Sequence, residues 1–167
     1  MGGTLEETAG QAGIPGPRAR SAEAAADPAD AYRLEESLGH LLRRAHQRHV
    51  SLFQEHAGAA GLTPTQFATL LRLQELGRAS QNALGRAVAL DSATIQGVVQ
   101  RLAGRGLIVA SRDPMDRRVV VLELTPEGST LLAAARTAAV RTNDALLAPL
   151  PANERAQLLL LLRRLLG

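Results

Sequence analysis

Apolar positions between Asp30 and Ala57 recur at spacings of three and four: Leu34, Leu38, Leu41, Leu42, Ala45, Leu52 and Phe53. That is the period of an amphipathic helix, and Gly58 to Gly61 ends it. Thr63-Pro64-Thr65-Gln66 reads as a capping box with proline at the first helical position. The helix it opens turns Phe67, Leu70, Leu71 and Leu73 inward and stops near Gly77. Ser80 predicts the N-cap of a short helix through Leu84 and Val88. After a turn at Ala89-Leu90-Asp91, a further helix runs from Ser92 to about Arg105 and closes at Gly106, with Ile95, Val98, Val99 and Leu102 facing the core.

The period then changes. Leu107–Arg112 and Val119–Leu124 are extended apolar runs, and Asp113 to Arg118 between them predicts a hairpin with a charged tip. Thr125-Pro126-Glu127 marks another helix start, leading to a long Ala/Leu-rich helix as far as Leu147, ahead of Pro149 and Pro151. A last helix, Ala152 to Leu166, is apolar over most of its surface. Such a helix at a chain end needs a partner surface to cover it. Residues 1–30 carry no apolar period and set Arg18 and Arg20 against five acids. That segment is read as a disordered tail, and setting it aside raises the net charge of the remainder from +3 to +6.

Composition then narrows the function. Apolar residues make up 46% of the chain but aromatics only 2%, so aromatic base-stacking platforms are excluded as the main binding device. With no cysteine, disulfides, cysteine-held zinc and thiol redox sensing are excluded. All 19 basic residues are arginine, which removes Schiff-base and P-loop lysine chemistry and favours the fork geometry suited to phosphates and guanine edges. No apolar run approaches the roughly 20 residues of a membrane span, and no secretion signal opens the chain. A soluble, cytoplasmic protein is expected, without membrane contact. No nucleophile triad or phosphate loop is present, and His46 and His49 without a carboxylate partner make a weak metal site. The expectation is a non-enzyme with no cofactor and no metal.

Two short helices joined by a tight turn, followed by a hairpin with arginines at its tip, predict a helix-turn-helix whose second helix enters the major groove. On that helix Gln96 and Gln100 place two amide forks on one face, suited to adenine edges. Gly97 between them allows close backbone approach. Ser92 and Thr94 stand at the N-terminal end, where a phosphate is expected. Arg86, Arg101 and Arg105 flank the face as phosphate contacts. Residues 80–118 carry six arginines against three aspartates. An ordinary solvated helix face remains the competing reading of Gln96 and Gln100. Arg117 and Arg118 on the short hairpin loop suit a neighbouring minor groove.

The run Leu107-Ile108-Val109-Ala110-Ser111-Arg112-Asp113-Pro114-Met115-Asp116-Arg117-Arg118, followed by Leu124-Thr125-Pro126-Glu127-Gly128, resembles the MarR family of winged helix-turn-helix regulators. The resemblance implies a mainly α fold with a small β-hairpin wing. A winged helix-turn-helix domain at residues 63–125 would join a helical dimerisation region formed by residues 31–62 and 126–167. It implies a homodimer, double-stranded DNA with a pseudo-palindromic operator as partner, and Arg118 as the minor-groove arginine. Asp116 would orient the wing arginines by a charge-assisted hydrogen bond, or else form a plain hairpin ion pair with Arg118.

The same resemblance implies a repressor released by a small aromatic or phenolic carboxylate bound between the dimerisation helices and the winged domain. His46, His49, Arg43, Arg72 and Phe53 are the candidate ligand-binding residues. For the histidines, a role as satisfied core or interface groups competes with anion binding; for the arginines, surface ion pairs do. The alternative function is a winged-helix adaptor acting through protein–protein contacts without specific DNA binding.

Overall fold

The computed structural model describes residues 32–167, so the expected tail at 1–30 and a helix start at Asp30 lie outside the described residues. A single 3-10 turn, Leu34–Glu36, precedes α1 (Leu38–Ala57). The long first helix is therefore shorter than its apolar period suggests. Ser37 interrupts it: its backbone is extended and its hydroxyl donates to the Leu34 carbonyl at 2.8 Å, the local bond by which serine competes with helix continuation.

A second 3-10 turn, Gly58–Ala60, leads to α2 (Pro64–Leu76). The capping box is formed in both directions. The Gln66 N–H donates to Thr63 Oγ1 at 3.2 Å, and the Thr63 N–H donates to Gln66 Oε1 at 3.0 Å. After Gly77 comes β1 (Arg78–Ala79), then α3 (Gln81–Ala87), α4 (Ser92–Gly104), β2 (Ile108–Arg112), β3 (Val120–Leu124), α5 (Pro126–Leu147) and α6 (Ala152–Leu166).

The wing is a three-stranded antiparallel sheet ordered β1-β3-β2 rather than a lone hairpin. Ile108 pairs with Leu124 and Arg112 with Val120, while Arg78 and Ala79 pair with Glu123 and Leu122. Two residues are too few to show a period of two, and β1 becomes a strand only by lying against β3.

Phe53 of α1, Leu70 and Leu73 of α2, Leu84 of α3, Ile95 and Leu102 of α4 and Leu132 of α5 form one buried core. α1 also runs along α5, where His56 Nδ1 lies 3.1 Å from Thr142 Oγ1. The Thr142 hydroxyl donates to the Ala138 carbonyl at 2.8 Å, so the imidazole is the donor of the pair. By contrast, α6 buries none of its residues. Leu34, Leu38, Leu41 and Leu42 lie exposed near the start of the described chain, as do Leu158 to Leu161, Leu165 and Leu166 at its end. Between α1, α5 and α6 an apolar cleft of about 500 Å³ is lined by Leu42, Ala45, Leu146, Leu147, Leu158 and Leu162, among others. Among the described residues no helix is long and apolar enough to cross a membrane.

Candidate nucleic-acid interface

The corner between α3 and α4 is set by two small residues. The Gly85 carbonyl accepts from the Leu90 N–H at 2.9 Å, and a Cβ on Gly85 would stand 3.1 Å from Ile95 Cγ2. Ala89 turns the chain with φ +54°, a left-handed conformation that costs a non-glycine residue energy. These contacts draw α3 onto the root of α4 and leave the far side of α4 outward.

Asp91 caps α4. Its Oδ1 accepts from the Thr94 N–H at 2.8 Å and its Oδ2 from the Thr94 hydroxyl at 2.7 Å. The Thr94 backbone N–H, and then its hydroxyl, hold the Asp91 carboxyl below its ordinary range. Asp91 thus engages the Thr94 N–H and hydroxyl at the end of α4 where a phosphate is expected. Ser92 is exposed beside it and lines a shallow depression with Asn82 and Arg86, between α3 and α4.

Gln96 and Gln100 are exposed one turn apart on α4. Gly97 is half-buried because the Arg101 side chain folds back over it: a Cβ on Gly97 would sit 3.4 Å from Arg101 Nη1. The missing side chain makes room for a guanidinium as well as for a close backbone. Arg105 departs from expectation. Its Nη1 donates to the Gly61 carbonyl at 2.8 Å and its Nη2 to the Ala60 carbonyl at 2.9 Å, so its fork is directed at protein carbonyls and not at a phosphate.

At the wing, Asp113 Oδ1 accepts from the Met115 N–H at 2.7 Å, and Asp116 Oδ1 accepts from the backbone N–H of Arg118 at 2.9 Å. Asp116 thus shapes the loop through the backbone, correcting the expected bond to an arginine side chain. Among the described residues the ion pair is Arg72–Glu75, at 2.7 Å, away from the wing. Arg117 and Arg118 both stand exposed.

The candidate effector residues divide. His46 and His49 line a cleft of about 250 Å³ between α1, α2 and the helix-turn-helix corner, together with Pro64, Thr65, Ala68, Val88 and Leu90. Burial, and then the neighbouring His46, push His49 below its ordinary pKa. Phe53 does not reach this space. It is 1% exposed and lies in the core, with ring centroids 6.3 Å from His49 and 5.5 Å from Phe67. Arg72 is paired with Glu75 and lines an adjoining depression with Leu71 and Ala87. Arg43 is exposed on α1 and is not among the residues lining the cleft. Thr65, Val88 and Leu90 escaped sequence reading because their side chains carry no distinctive chemistry; folding alone brings the corner to α1.

A family model described as the MarR family matches residues 62–120. The transcriptional repressor NicR of Pseudomonas putida is 44% identical over 135 residues, spanning 81% of this chain and 85% of NicR. The chain belongs to the MarR family. A probable transcriptional regulator from Pseudomonas aeruginosa superposes with a TM-score of 0.76 at 49% identity, covering 80% of this chain and 99% of that one. BpsR of Bordetella bronchiseptica, whose DNA binding is regulated by 6-hydroxynicotinic acid, superposes with a TM-score of 0.75 at 40% identity, covering 80% of this chain and 96% of BpsR. This MarR-family chain is a DNA-binding transcriptional regulator with a winged-helix fold, and its relatives are regulators rather than enzymes.

Proposed function

We propose that the protein is a homodimeric repressor that reads a pseudo-palindromic duplex and is released by a small aromatic or phenolic carboxylate. The observation that carries the DNA reading is the outward face of α4, where Gln96, Gln100 and Arg101 stand exposed on a helix whose opposite side is fixed in the core. Amide forks on such a face match adenine edges in the major groove, and Arg117 and Arg118 at the wing suit the flanking minor groove. The exposed leucines of the first turns and α6 supply the dimer interface, since an apolar face of that extent is unstable in water. A two-fold dimer would set half-sites about one helical turn apart. Residues 63–125 then form the reading domain, and the flanking helices the dimerisation region.

The cleft beside His46 and His49 is the effector site. An imidazole half-buried among apolar groups is held neutral, and an arriving carboxylate reverses that preference. The 40% identity to BpsR, whose DNA binding is regulated by 6-hydroxynicotinic acid, supports a pyridine or benzene carboxylate as the class.

Fluorescence anisotropy on duplex from the gene's own upstream region, with a shuffled duplex of equal composition at two salt concentrations, tests the reading. Tight binding to the native duplex alone, relieved by added 6-hydroxynicotinate, is the expected result. Equally weak, salt-sensitive binding to both duplexes would favour an adaptor that merely attracts polyanions.

A further inference from the structure

Arg105 stands at the C-terminal end of the recognition helix, and its two terminal nitrogens donate to consecutive carbonyls, those of Ala60 and Gly61. These carbonyls belong to the 3-10 turn and its cap that continue directly from α1. Carbonyls at a helix end lack partners within the helix and carry the negative end of its dipole, so a guanidinium is well matched to them. The two sides of the bond are 44 and 45 residues apart in sequence. α4 itself packs on α2, α3 and β2; the Arg105 fork reaches past these neighbours to the end of α1.

We propose that Arg105 is a positioning residue for DNA reading, a strut that holds the C-terminal end of the recognition helix at a set place relative to α1 and so aims Gln96 and Gln100. The inference rests on the DNA-reading assignment of α4. A planar fork on two adjacent carbonyls fixes direction as well as distance. Base contacts through amide forks demand that direction, whereas contacts to phosphates tolerate a small tilt. Loss of the strut therefore acts on sequence preference, not on attraction to DNA in general.

The test uses the full chain and a duplex that the wild-type protein selects from a randomised pool, beside a random-sequence duplex, across a series of salt concentrations. Arg105→Met keeps the side-chain stem and removes the donors; Arg105→Lys keeps donors. Arg105→Met should bind the selected duplex at least about tenfold more weakly, the scale of one lost bidentate base contact. It should bind random duplex as the wild type does, with the same salt slope, and Arg105→Lys, which keeps charge and donors without the planar fork, should recover only part of the loss.

Unchanged affinity for the selected duplex would leave Arg105 a stabilising cap alone and overturn the proposal. Equal losses on both duplexes, with the salt slope reduced by about 0.9, would make it a phosphate ligand and also overturn it. If Arg105→Met does not fold by circular dichroism, Arg105→Gln, with a single amide donor group, should show the same selective loss at smaller size, and its absence would be decisive against the strut. A wild-type protein that selects no sequence would instead refute the DNA-reading assignment, and the strut with it.

Discussion

Gly128 lies so close to the carbonyl of Leu107 that a Cβ on it would overlap the oxygen. The approach is enforced by Thr125, whose N–H donates to that same Leu107 carbonyl at 3.1 Å and whose hydroxyl donates to the Gly106 carbonyl at 2.7 Å. The hydroxyl oxygen also accepts from the Gly128 N–H at 3.0 Å, capping α5. The Leu-Thr-Pro-Glu-Gly run therefore clamps the base of the wing to the start of α5. Threonine supplies the clamp, and glycine is needed for want of room.

Gly128→Ala should destabilise the protein by ~1–3 kcal/mol or more, because the obstacle is backbone that cannot rotate away. Urea unfolding should show a lower midpoint at an unchanged slope. An unaltered midpoint would mean that α5 can slide from the strand without penalty.

Ala89 has the opposite balance. At φ +54° an L-residue carries strain of ~1–2 kcal/mol, from which the greater unfolded-state freedom of glycine subtracts ~0.5–1 kcal/mol. Ala89→Gly should therefore raise stability by up to ~1.5 kcal/mol and leave DNA affinity intact. A fall in the urea midpoint would contradict the left-handed turn.

On DNA, the wing and the helix should separate by kind of effect. Arg118→Ala should weaken binding to specific and random duplex alike and lower the salt slope by about 0.9, if its guanidinium neutralises a phosphate or sits in the minor groove's negative potential. Gln96→Ala or Gln100→Ala should cost ~1–3 kcal/mol on the preferred duplex and little on random DNA. Binding titrations on both duplexes measure the difference; equal losses would remove the amides from base reading.

His49 makes stability depend on pH. Its folded pKa lies below the ordinary 6.5 because burial, then His46, disfavour the imidazolium. The stabilisation is thus fully present above pH 6.5 and is lost as pH falls through the folded pKa. Thermal unfolding of wild type should show a falling midpoint on acidification below 6.5, and His49→Gln should flatten that limb. A saturating aromatic carboxylate should do the same by favouring the charged ring. An identical acid limb in wild type and His49→Gln would assign the loss to other groups.

Much of this molecule follows from short spacings. The Thr63–Gln66 capping box, the inward set Ile95, Val98, Val99 and Leu102, and the Leu124 to Gly128 run are governed by neighbours three or four residues apart, and each was legible in the chain. The outward placement of Gln96 and Gln100 follows from the same helical period. Local chemistry misled at the wing, where Asp116 takes a backbone N–H in place of an arginine side chain.

By itself, then, the sequence determined the helices, the hairpin and the polar face of α4, because hydrogen bonds and side-chain faces within one element are settled by residues a turn apart. Only the tertiary structure decided that Arg78–Ala79 pairs with β3, that Phe53 lies in the core rather than in the cleft, and that Val88 and Leu90 stand opposite His46 and His49. Arg105 meeting Gly61 and His56 meeting Thr142 span 44 and 86 residues. Contacts at such separation have no period to be read from, since they form only when packing of the core brings distant segments together.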